Sequence, residues 1–391
     1  MTRKAIVVGA GIGGLTAACA LQRTGWQVEV YEQAPEIGPV GAGIGIAPNA
    51  AKALDHLGLG AELREQGRRQ KGMEIRARRG KRLAHLPADR IERAYGASFY
   101  ALHRADLHRL LMSRSNGTAL HTDHRATDIT AGTGTATVGF QTGAGRIAVT
   151  ADLVVAADGV HSAMRAALLP EYPGADYAGY TVWRGLVPHG TADVSGVLTE
   201  TWGRAARFGI AELRDEVYWF ACETKAEHDQ PEHRLDLLAA RFRDWHEPIP
   251  ALIEATPQDA LLRHDVYYLR ARLPRFAHGR TVLLGDAAHA VTPDIGQGAC
   301  LAIEDAIVLA AALEHHDIDD GLAAYDALRR PRTERMARSS GRLAQVLQAR
   351  GRITAAARDV IALATPTPLL TRAAGAAFAW TPPQLNQGAA E

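Results

Sequence analysis

Three glycines near the start of the chain, Gly9, Gly11 and Gly14, have the G-x-G-x-x-G spacing of a pyrophosphate-binding turn. The β-branched run 5–8 before them predicts a buried parallel strand, and a helical pattern follows. In this context the first glycine permits a tight turn, the second lets the backbone approach the phosphates, and the third lets the helix pack on the strand. Because N–H groups at the start of the helix can bind phosphate oxygens, we expect a dinucleotide here.

An acidic residue at the end of the next predicted strand narrows the choice of dinucleotide. Glu32 follows the strand-like run 27–31 and lies 18 residues after Gly14. A carboxylate at such a position can accept hydrogen bonds from the hydroxyls of a ribose. A 2′-phosphate on that ribose would bring two negative charges together. The pattern therefore favours NAD or FAD at this site.

Two later aspartates also follow buried, strand-like runs. Asp158 and Gly159 come directly after the apolar run 151–157, and Asp286 comes after the run 280–284. Considered alone, Asp158 could simply set a turn and Asp286 could simply cap a helix. Their shared position at strand ends makes both of them candidates for the dinucleotide site.

A third motif is the stretch 292–299, which reads Thr-Pro-Asp-Ile-Gly-Gln-Gly-Ala and includes Pro293. Its residues Gly296, Gln297 and Gly298 immediately precede a helical pattern. N–H groups at the start of that helix could stabilise negative charge on a reduced ring system. Glycine also permits a close approach of the backbone to such a ring.

In order and spacing, these motifs together resemble those of the single-component FAD-dependent aromatic hydroxylases, the para-hydroxybenzoate hydroxylase superfamily. The resemblance covers about residues 1–345, and the stretch 292–299 is most similar to urate hydroxylase and salicylate hydroxylase-like enzymes. It implies bound FAD, with NADH or NADPH as electron donor. It also implies a monooxygenase that uses O₂ and a flavin C4a-hydroperoxide to hydroxylate a small or medium aromatic or heteroaromatic substrate.

The resemblance further implies roles for single residues in binding the cofactor. Asp286 would hydrogen-bond the ribityl chain of FAD, and Asp158 would serve both FAD and NAD(P)H. Arg104 would contact the flavin side chain and the pyrophosphate.

Other residues would lie at the flavin ring itself. The loop 41–46, which includes Gly43 and Ile44, would be mobile beside the isoalloxazine. Pro293 would lie over the reacting edge of the ring.

A predicted hairpin supplies the candidate substrate residues. The strand-like runs 206–212 and 217–222 are separated by four residues, and this connection places Arg207 and Tyr218 on one face of the sheet. The small residue Gly209 leaves room on that face for a flat ring, with a cation and a phenol to bind it. A shift of one residue in the pairing would turn both side chains to the opposite face.

Two other functions fit the same motifs. An FAD-dependent epoxidase of an alkene or quinone would share the Gly-Gln-Gly loop. The other is a flavin-fold binding protein without catalytic activity. The presence of Asp158, Asp286 and 296–298 together argues against this second alternative, because the resemblance implies that these residues serve a bound flavin.

These motifs need an α/β framework to bring them together. We expect a Rossmann-like FAD-binding domain with an inserted antiparallel β-sheet substrate domain and C-terminal helices, because aromatic and β-branched residues alternate with polar ones between about 177 and 268. The expected FAD-binding domain comprises residues 1–72, 98–176 and 268–391. The expected substrate-binding domain comprises residues 73–97 and 177–267.

Composition excludes several classes of partner. The 391 residues carry a net charge of only +1, so bulk charge does not favour nucleic acid or a membrane surface. Three widely spaced cysteines predict no disulfide framework and favour a cytoplasmic location. The apolar tract 362–380 contains prolines and an arginine, which argues against a membrane span.

The remaining candidate partners are small molecules. The histidine-containing segments 227–233 and 315–317 lack the spacing of metal ligands, so we expect no metal. We expect an aromatic substrate and O₂ as partners of a monomer or homodimer.

Overall fold

The protein is described by a computed structural model that covers residues 2–38, 41–115, 117–229 and 234–385. A six-stranded sheet lies at its centre, in the order β18-β19-β12-β1-β2-β8, and all its strand pairs are parallel except β18–β19. Its strands are β1 (Lys4–Val8), β2 (Gln27–Tyr31), β8 (Ala119–His121), β12 (Leu153–Ala156), β18 (Ala277–His278) and β19 (Thr281–Leu283).

Thirteen helices of the described chain accompany the sheets. They are α1 (Ile12–Arg23), α2 (Pro48–His56), α3 (Gly60–Gln66), α4 (Ala88–Tyr95), α5 (Arg104–Arg114), α6 (Ala163–Leu168), α7 (Arg234–Phe242), α8 (Ile249–Glu254), α9 (Asp286–His289), α10 (Gly298–His315), α11 (Ile318–Leu347), α12 (Arg352–Ala364) and α13 (Thr367–Phe378). Helix α10 is buried on nearly all sides, which explains why it is apolar all round rather than along one stripe.

The β1–α1–β2 unit is the one predicted from the glycine motif. Strand β1 is apolar and buried because strands β12 and β2 pair with its two edges and helix α1 packs against it. Helix α1 packs against α10, and Gly13 is placed where an added Cβ would come 3.1 Å from the Ala302 Cβ. The α/β fold class is therefore confirmed.

A seven-stranded sheet, in the order β17-β13-β16-β15-β14-β5-β6, forms the second layer. Its strands are β5 (Gly72–Ala77), β6 (Arg82–Pro87), β13 (Asp176–Pro188), β14 (Leu198–Trp202), β15 (Ala206–Glu212), β16 (Glu216–Thr224) and β17 (Leu262–Tyr268). The predicted hairpin register is confirmed, with Arg207 opposite Cys222 and Ala211 opposite Tyr218.

The second sheet differs from the expectation in one respect. It is mixed rather than antiparallel throughout, because β5 pairs with β14 in the parallel direction. The β5–β6 hairpin comes from a distant part of the chain and joins the free edge of β14, so no short turn constrains its direction.

Two small sheets complete the structure. One contains β9 (Arg125–Ala131), β10 (Ala136–Thr142) and β11 (Gly145–Ala151), and the other contains β3 (Gly43–Ile46), β4 (Arg68–Arg69) and β7 (Tyr100–His103). The second of these lies against the seven-stranded sheet, because Gly43 on β3 approaches Tyr218 on β16 closely.

The C-terminal apolar tract forms the end of α12 and the whole of α13. Phe378 is buried, and its ring packs edge-on against Tyr95 at a centroid distance of 5.7 Å. Among the described residues, no helix has the length and apolar character needed to cross a membrane.

Candidate active site

The glycine turn after β1 is built so that helix α1 begins with free N–H groups. Gly9 has φ +100°, and an added Cβ there would lie 2.5 Å from the Ala157 carbonyl oxygen. At Gly14 an added Cβ would lie 1.9 Å from the Gly9 carbonyl oxygen, so this glycine is needed for packing. An added Cβ on Gly11 meets nothing within 4 Å, which leaves open space in front of the helix.

Glu32 lies beside this open space. Its carboxylate accepts hydrogen bonds from the backbone N–H of Ala10, at 2.8 Å, and of Ala34, at 2.9 Å. These bonds fix the side chain at the end of β2, next to the glycine turn. The carboxylate of Glu32 is thus held at the edge of the open space in front of helix α1.

Asp286 is the first residue of α9, and its carboxylate is accessible from the groove in front of the central sheet. It forms no hydrogen bond or ion pair with any described residue. Protein surrounds the group on its other sides, and this burial raises the pKa of the carboxyl although His289 and Arg104 oppose the shift. An unpartnered carboxylate in a groove is suited to accept hydrogen bonds from hydroxyl groups.

Asp158, by contrast, is satisfied within the protein. Its carboxylate accepts a hydrogen bond from Ser162 Oγ, at 2.5 Å, and from the backbone N–H of Met164, at 3.0 Å. Arg165 then links this turn to α9, because its guanidinium donates to the carbonyl oxygens of Val160, at 2.6 Å, and Ala287, at 2.9 Å. Asp158 therefore fixes the shape of this turn. Through Arg165, the turn in turn supports helix α9, which begins with Asp286.

The 296–298 turn begins α10. Gly296 adopts a left-handed conformation with φ +61°, and an added Cβ would meet nothing within 4 Å. The Gln297 side chain is almost fully buried, and its Oε1 accepts a hydrogen bond of 2.9 Å from Asn49 Nδ2. Gln297 Nε2 finds no hydrogen-bond partner among the described residues. A buried, oriented donor of this kind fits a ligand acceptor.

Asn49 is held in turn by a buried network of charges, referred to below as the α10 network. Its Nδ2 also donates to Glu304 Oε1 at 2.6 Å, and Arg329 pairs with Glu304 at 2.8 Å and with Asp305 at 2.6 Å. Asp305 also contacts His289 Nε2 at 2.5 Å. Burial would raise the pKa of Asp305, but His289 and Arg329 outweigh it and hold this pKa at about 2.

The 41–46 loop closes the other side of the groove. Arg104 begins α5, and its backbone N–H donates to the Ala42 carbonyl at 2.8 Å. An added Cβ on Gly41 would lie 2.8 Å from Arg104 Cδ, and one on Gly43 would lie 2.4 Å from the Tyr218 ring. These glycines allow Arg104 and Tyr218 to approach the loop closely.

Arg207 lies on the predicted face of the sheet, but its charge is already balanced. Its guanidinium is 2% exposed and pairs with Glu200 at 3.2 Å and with Asp294. Asp294 also accepts a hydrogen bond of 2.8 Å from the Tyr180 hydroxyl. The loop that carries Pro293 is therefore tied to the seven-stranded sheet.

A second arginine on this face is less constrained. Arg184 Nη1 contacts His264 Nδ1 at 2.9 Å, and it forms no ion pair with a described carboxylate. Burial, together with Arg184 and Arg104, lowers the pKa of His264 to about 4, so His264 is neutral near neutral pH. Arg184 thus offers a positive charge to the groove.

Comparison with known proteins identifies the family. The sequence profile described as the FAD binding domain matches residues 2–340. The chain belongs to the FAD binding domain family. FAD is its cofactor, and the chain is an FAD-dependent monooxygenase of the aromatic hydroxylase type.

Relatives of this monooxygenase act on different rings. The aurachin C monooxygenase/isomerase of Stigmatella aurantiaca is 37% identical over 88% of this chain and 89% of its own length. The FAD-dependent urate hydroxylase of Klebsiella pneumoniae is 36% identical over 83% of this chain and 85% of its own length. The crystal structure of Klebsiella pneumoniae HpxO with FAD and uric acid has a TM-score of 0.88 and 29% identity, covering 95% of both chains.

The groove of the monooxygenase fits FAD at three independent points. The open space in front of Gly11 can take a pyrophosphate, and the unpartnered carboxylate of Asp286 can bind ribityl hydroxyls. The free Nε2 of Gln297 can donate to the flavin ring. Among the described residues, no group of three or more potential metal ligands occurs, and residues 230–233 lie outside the described part of the chain.

Several residues of this site were not singled out from the sequence. They are Asn49, Tyr180, Arg184, Glu200, His264, Asp294 and Glu304. The period of two along β13 could have placed Tyr180 and Arg184 on one face once β13 was paired with β16. The ion pair between Arg207 and Asp294 spans 87 residues, and no local pattern indicates it.

Proposed function

We propose that this monooxygenase hydroxylates a small or medium aromatic or heteroaromatic ring with O₂ and with NADH or NADPH. One ring C–H bond becomes C–OH, and NAD(P)H, a proton and the second oxygen atom yield NAD(P)⁺ and water. Bound FAD supplies the redox chemistry. The chain binds the ring beside the flavin, orients it and keeps water away.

The contact between Tyr218 and Gly43 carries this proposal. It brings the substrate-facing sheet against the loop that borders the flavin groove. On the same face the Phe220 ring lies over Gly209, where an added Cβ would come within 2.0 Å of the ring. A flat surface formed by aromatic rings and glycine supports binding of a planar substrate.

The charges on this face support a ring that bears oxygen atoms. Asp294 and Glu200 neutralise Arg207, so Arg207 has no free charge for a substrate carboxylate. Arg184 forms no ion pair with a described carboxylate, and its neighbour His264 is neutral near neutral pH. Arg184 could therefore stabilise a phenolate or an anionic ring carbonyl, and loss of the phenol proton makes the ring more reactive toward electrophilic oxygen.

The positions of Pro293 and Arg207 support positioning roles. The Arg207–Asp294 ion pair holds the loop with Pro293 at a fixed distance from the sheet. We propose that Tyr218 contacts the substrate, that Pro293 lies at the reacting edge of the flavin, and that Arg207 keeps the two together.

The test is oxidation of NADH and NADPH by FAD-loaded protein, with and without a panel of phenols, purines and quinones, under ¹⁸O₂. We expect one class of ring to stimulate oxidation and to gain one labelled oxygen atom as a hydroxyl group. An epoxide product would favour the epoxidase, and protein that binds no FAD would contradict the proposal.

A further inference from the structure

Helix α12 is amphipathic in the reverse of the usual sense. Its inner face carries the charge: Arg358 is 5% exposed, donates to the Gly203 carbonyl at 3.1 Å, and stacks on Trp202 at 5.2 Å. Its outer face is apolar, with Ile353 85% exposed and Val360 63% exposed. Soluble monomers rarely expose a contiguous apolar face of this kind.

The outer residues have the spacing of a helix-packing seam. Ile353, Ala357, Val360 and Ala364 are all exposed and follow one another at intervals of four, three and four residues. This is the d-a-d-a spacing by which two helices interlock. Ile361, Leu363, Leu369 and Val346 flank the seam and are also exposed, so the apolar patch extends beyond one helix.

We propose that α12 is a dimerisation helix, which packs antiparallel on α12 of a second copy of this chain about a twofold axis. The seam is self-complementary in this arrangement. Antiparallel pairing about its midpoint puts Ile353 opposite Ala364 of the partner subunit and Val360 opposite Ala357 of the partner subunit. Each large side chain then meets a small one, as close helix packing requires.

The charges at the ends of α12 fit the same arrangement. Arg350 and Arg352 are exposed at the start of the helix, pair with no described carboxylate, and face the positive end of its dipole. The last turn of α12 contains no basic residue. In the antiparallel dimer these arginines lie beside the negative end of the partner's helix, which is a favourable position for them.

A lipid surface suits this face less well. Helices that lie on membranes carry lysine or arginine along an exposed polar face and aromatic residues on the apolar one. In α12 the polar face is buried against the protein, and the exposed seam contains neither lysine nor an aromatic residue. A second copy is therefore the occupant that the residues favour.

The first test is sedimentation velocity of the FAD-loaded full chain at about 1 to 100 µM. In this range a dimer with a micromolar dissociation constant is partly dissociated and can be resolved. We expect dimers that Val360→Asp weakens at least tenfold. Leu328→Asp, at a residue of α11 that is 61% exposed, is the matched control and should leave the dimer intact. A monomer throughout, or a dimer that Val360→Asp does not weaken, would overturn the proposal.

The second test establishes the direction of the pair. An Ile353→Cys variant and an Ala364→Cys variant are mixed under oxidising conditions, and the natural cysteines are buried. We expect a disulfide between unlike subunits in the mixture. In each variant alone the two thiols of an antiparallel pair lie about 16.5 Å apart along the axis, which is too far for a disulfide. Cross-linking of either variant alone, or monomers that bind anionic vesicles, would contradict the antiparallel dimer.

Discussion

The unpartnered carboxylate of Asp286 is the most direct link between a single residue and the cofactor. It lies 4.0 Å from the position of a Cβ on Gly298, between α9 and the start of α10. No described residue satisfies it, so the hydroxyls of the ribityl chain are its natural partners.

We expect Asp286→Ala to lower the affinity for FAD about tenfold to hundredfold, since hydrogen bonds to a charged group contribute about 1.5–3 kcal/mol. Flavin fluorescence titration of the apoprotein measures this directly. Asp215→Ala removes an exposed carboxylate and should leave FAD binding unchanged. Full FAD affinity in Asp286→Ala would remove Asp286 from the cofactor site.

His264 gives the site a dependence on pH. Burial and the nearby Arg184 and Arg104 lower its pKa to about 4, against an ordinary value of 6.5. Between these two pH values the unfolded chain binds more protons than the folded chain. Stability is therefore complete above about pH 6.5 and falls as the pH decreases toward 4.

Between pH 6.5 and 4 the wild-type protein should lose free energy of unfolding as His264 becomes protonated. We expect this loss to be smaller by about 1 kcal/mol in His264→Gln, a modest value because the ring is partly exposed. Urea unfolding at several pH values measures the slope. His316→Gln, at an exposed histidine, is the control. An unchanged slope in His264→Gln would show that this ring does not contribute.

We infer that the start of helix α10 orients the flavin ring. Its first turn presents Gln297, and the α10 network fixes that side chain through Asn49 and Glu304. The helix is apolar all round, so these buried polar groups must satisfy one another for the element to pack.

We expect Asn49→Ala to release the Gln297 amide, weaken FAD binding about tenfold and shift the visible absorption of the bound flavin. Equilibrium dialysis and the flavin spectrum provide two separate measurements. Asp55→Ala, at the exposed end of the same helix α2, is the matched control. Unchanged affinity with an unchanged spectrum would show that the network serves only packing.

The elements that sequence patterns predict well are those with local rules. The G-x-G-x-x-G turn and the hairpin with Arg207 and Tyr218 follow from spacing, and the structure confirms the hairpin register. The parallel pairing of β5 with β14 could not be predicted in this way. Its partners are separated by more than 120 residues in the chain, and free sheet edges leave the direction open.

One buried carboxylate, that of Asp294, links the 292–299 loop to the seven-stranded sheet. Asp294 lies on the loop between α9 and α10 but binds Arg207 and Tyr180 on the seven-stranded sheet, for which we propose a role in substrate binding. Breaking one partner of a buried ion pair costs about 3–5 kcal/mol, because the other charge is left unpaired. We infer that this carboxylate couples the stability of the substrate-facing sheet to that of the flavin-binding sheet.

Two optical probes can follow the six-stranded central sheet and the seven-stranded sheet separately. Flavin fluorescence reports release of FAD from the central sheet, and tryptophan fluorescence reports mainly on the second sheet. Four of the six tryptophans lie on the seven-stranded sheet or in the hydrophobic core packed on it, namely Trp183, Trp202, Trp219 and Trp245.

In wild-type protein we expect both probes to report one melting transition, because the coupled parts unfold together. In Asp294→Asn we expect the tryptophan transition to occur several degrees below the release of flavin, since the sheet loses its tie to the cofactor loop. Asp265→Asn breaks a buried ion pair with Arg263 within the sheet and does not reach that loop. It should therefore lower both transitions together. Coincident transitions in Asp294→Asn would mean that the sheets are coupled through the wider interface, of which the contact of Gly43 with Tyr218 is a part.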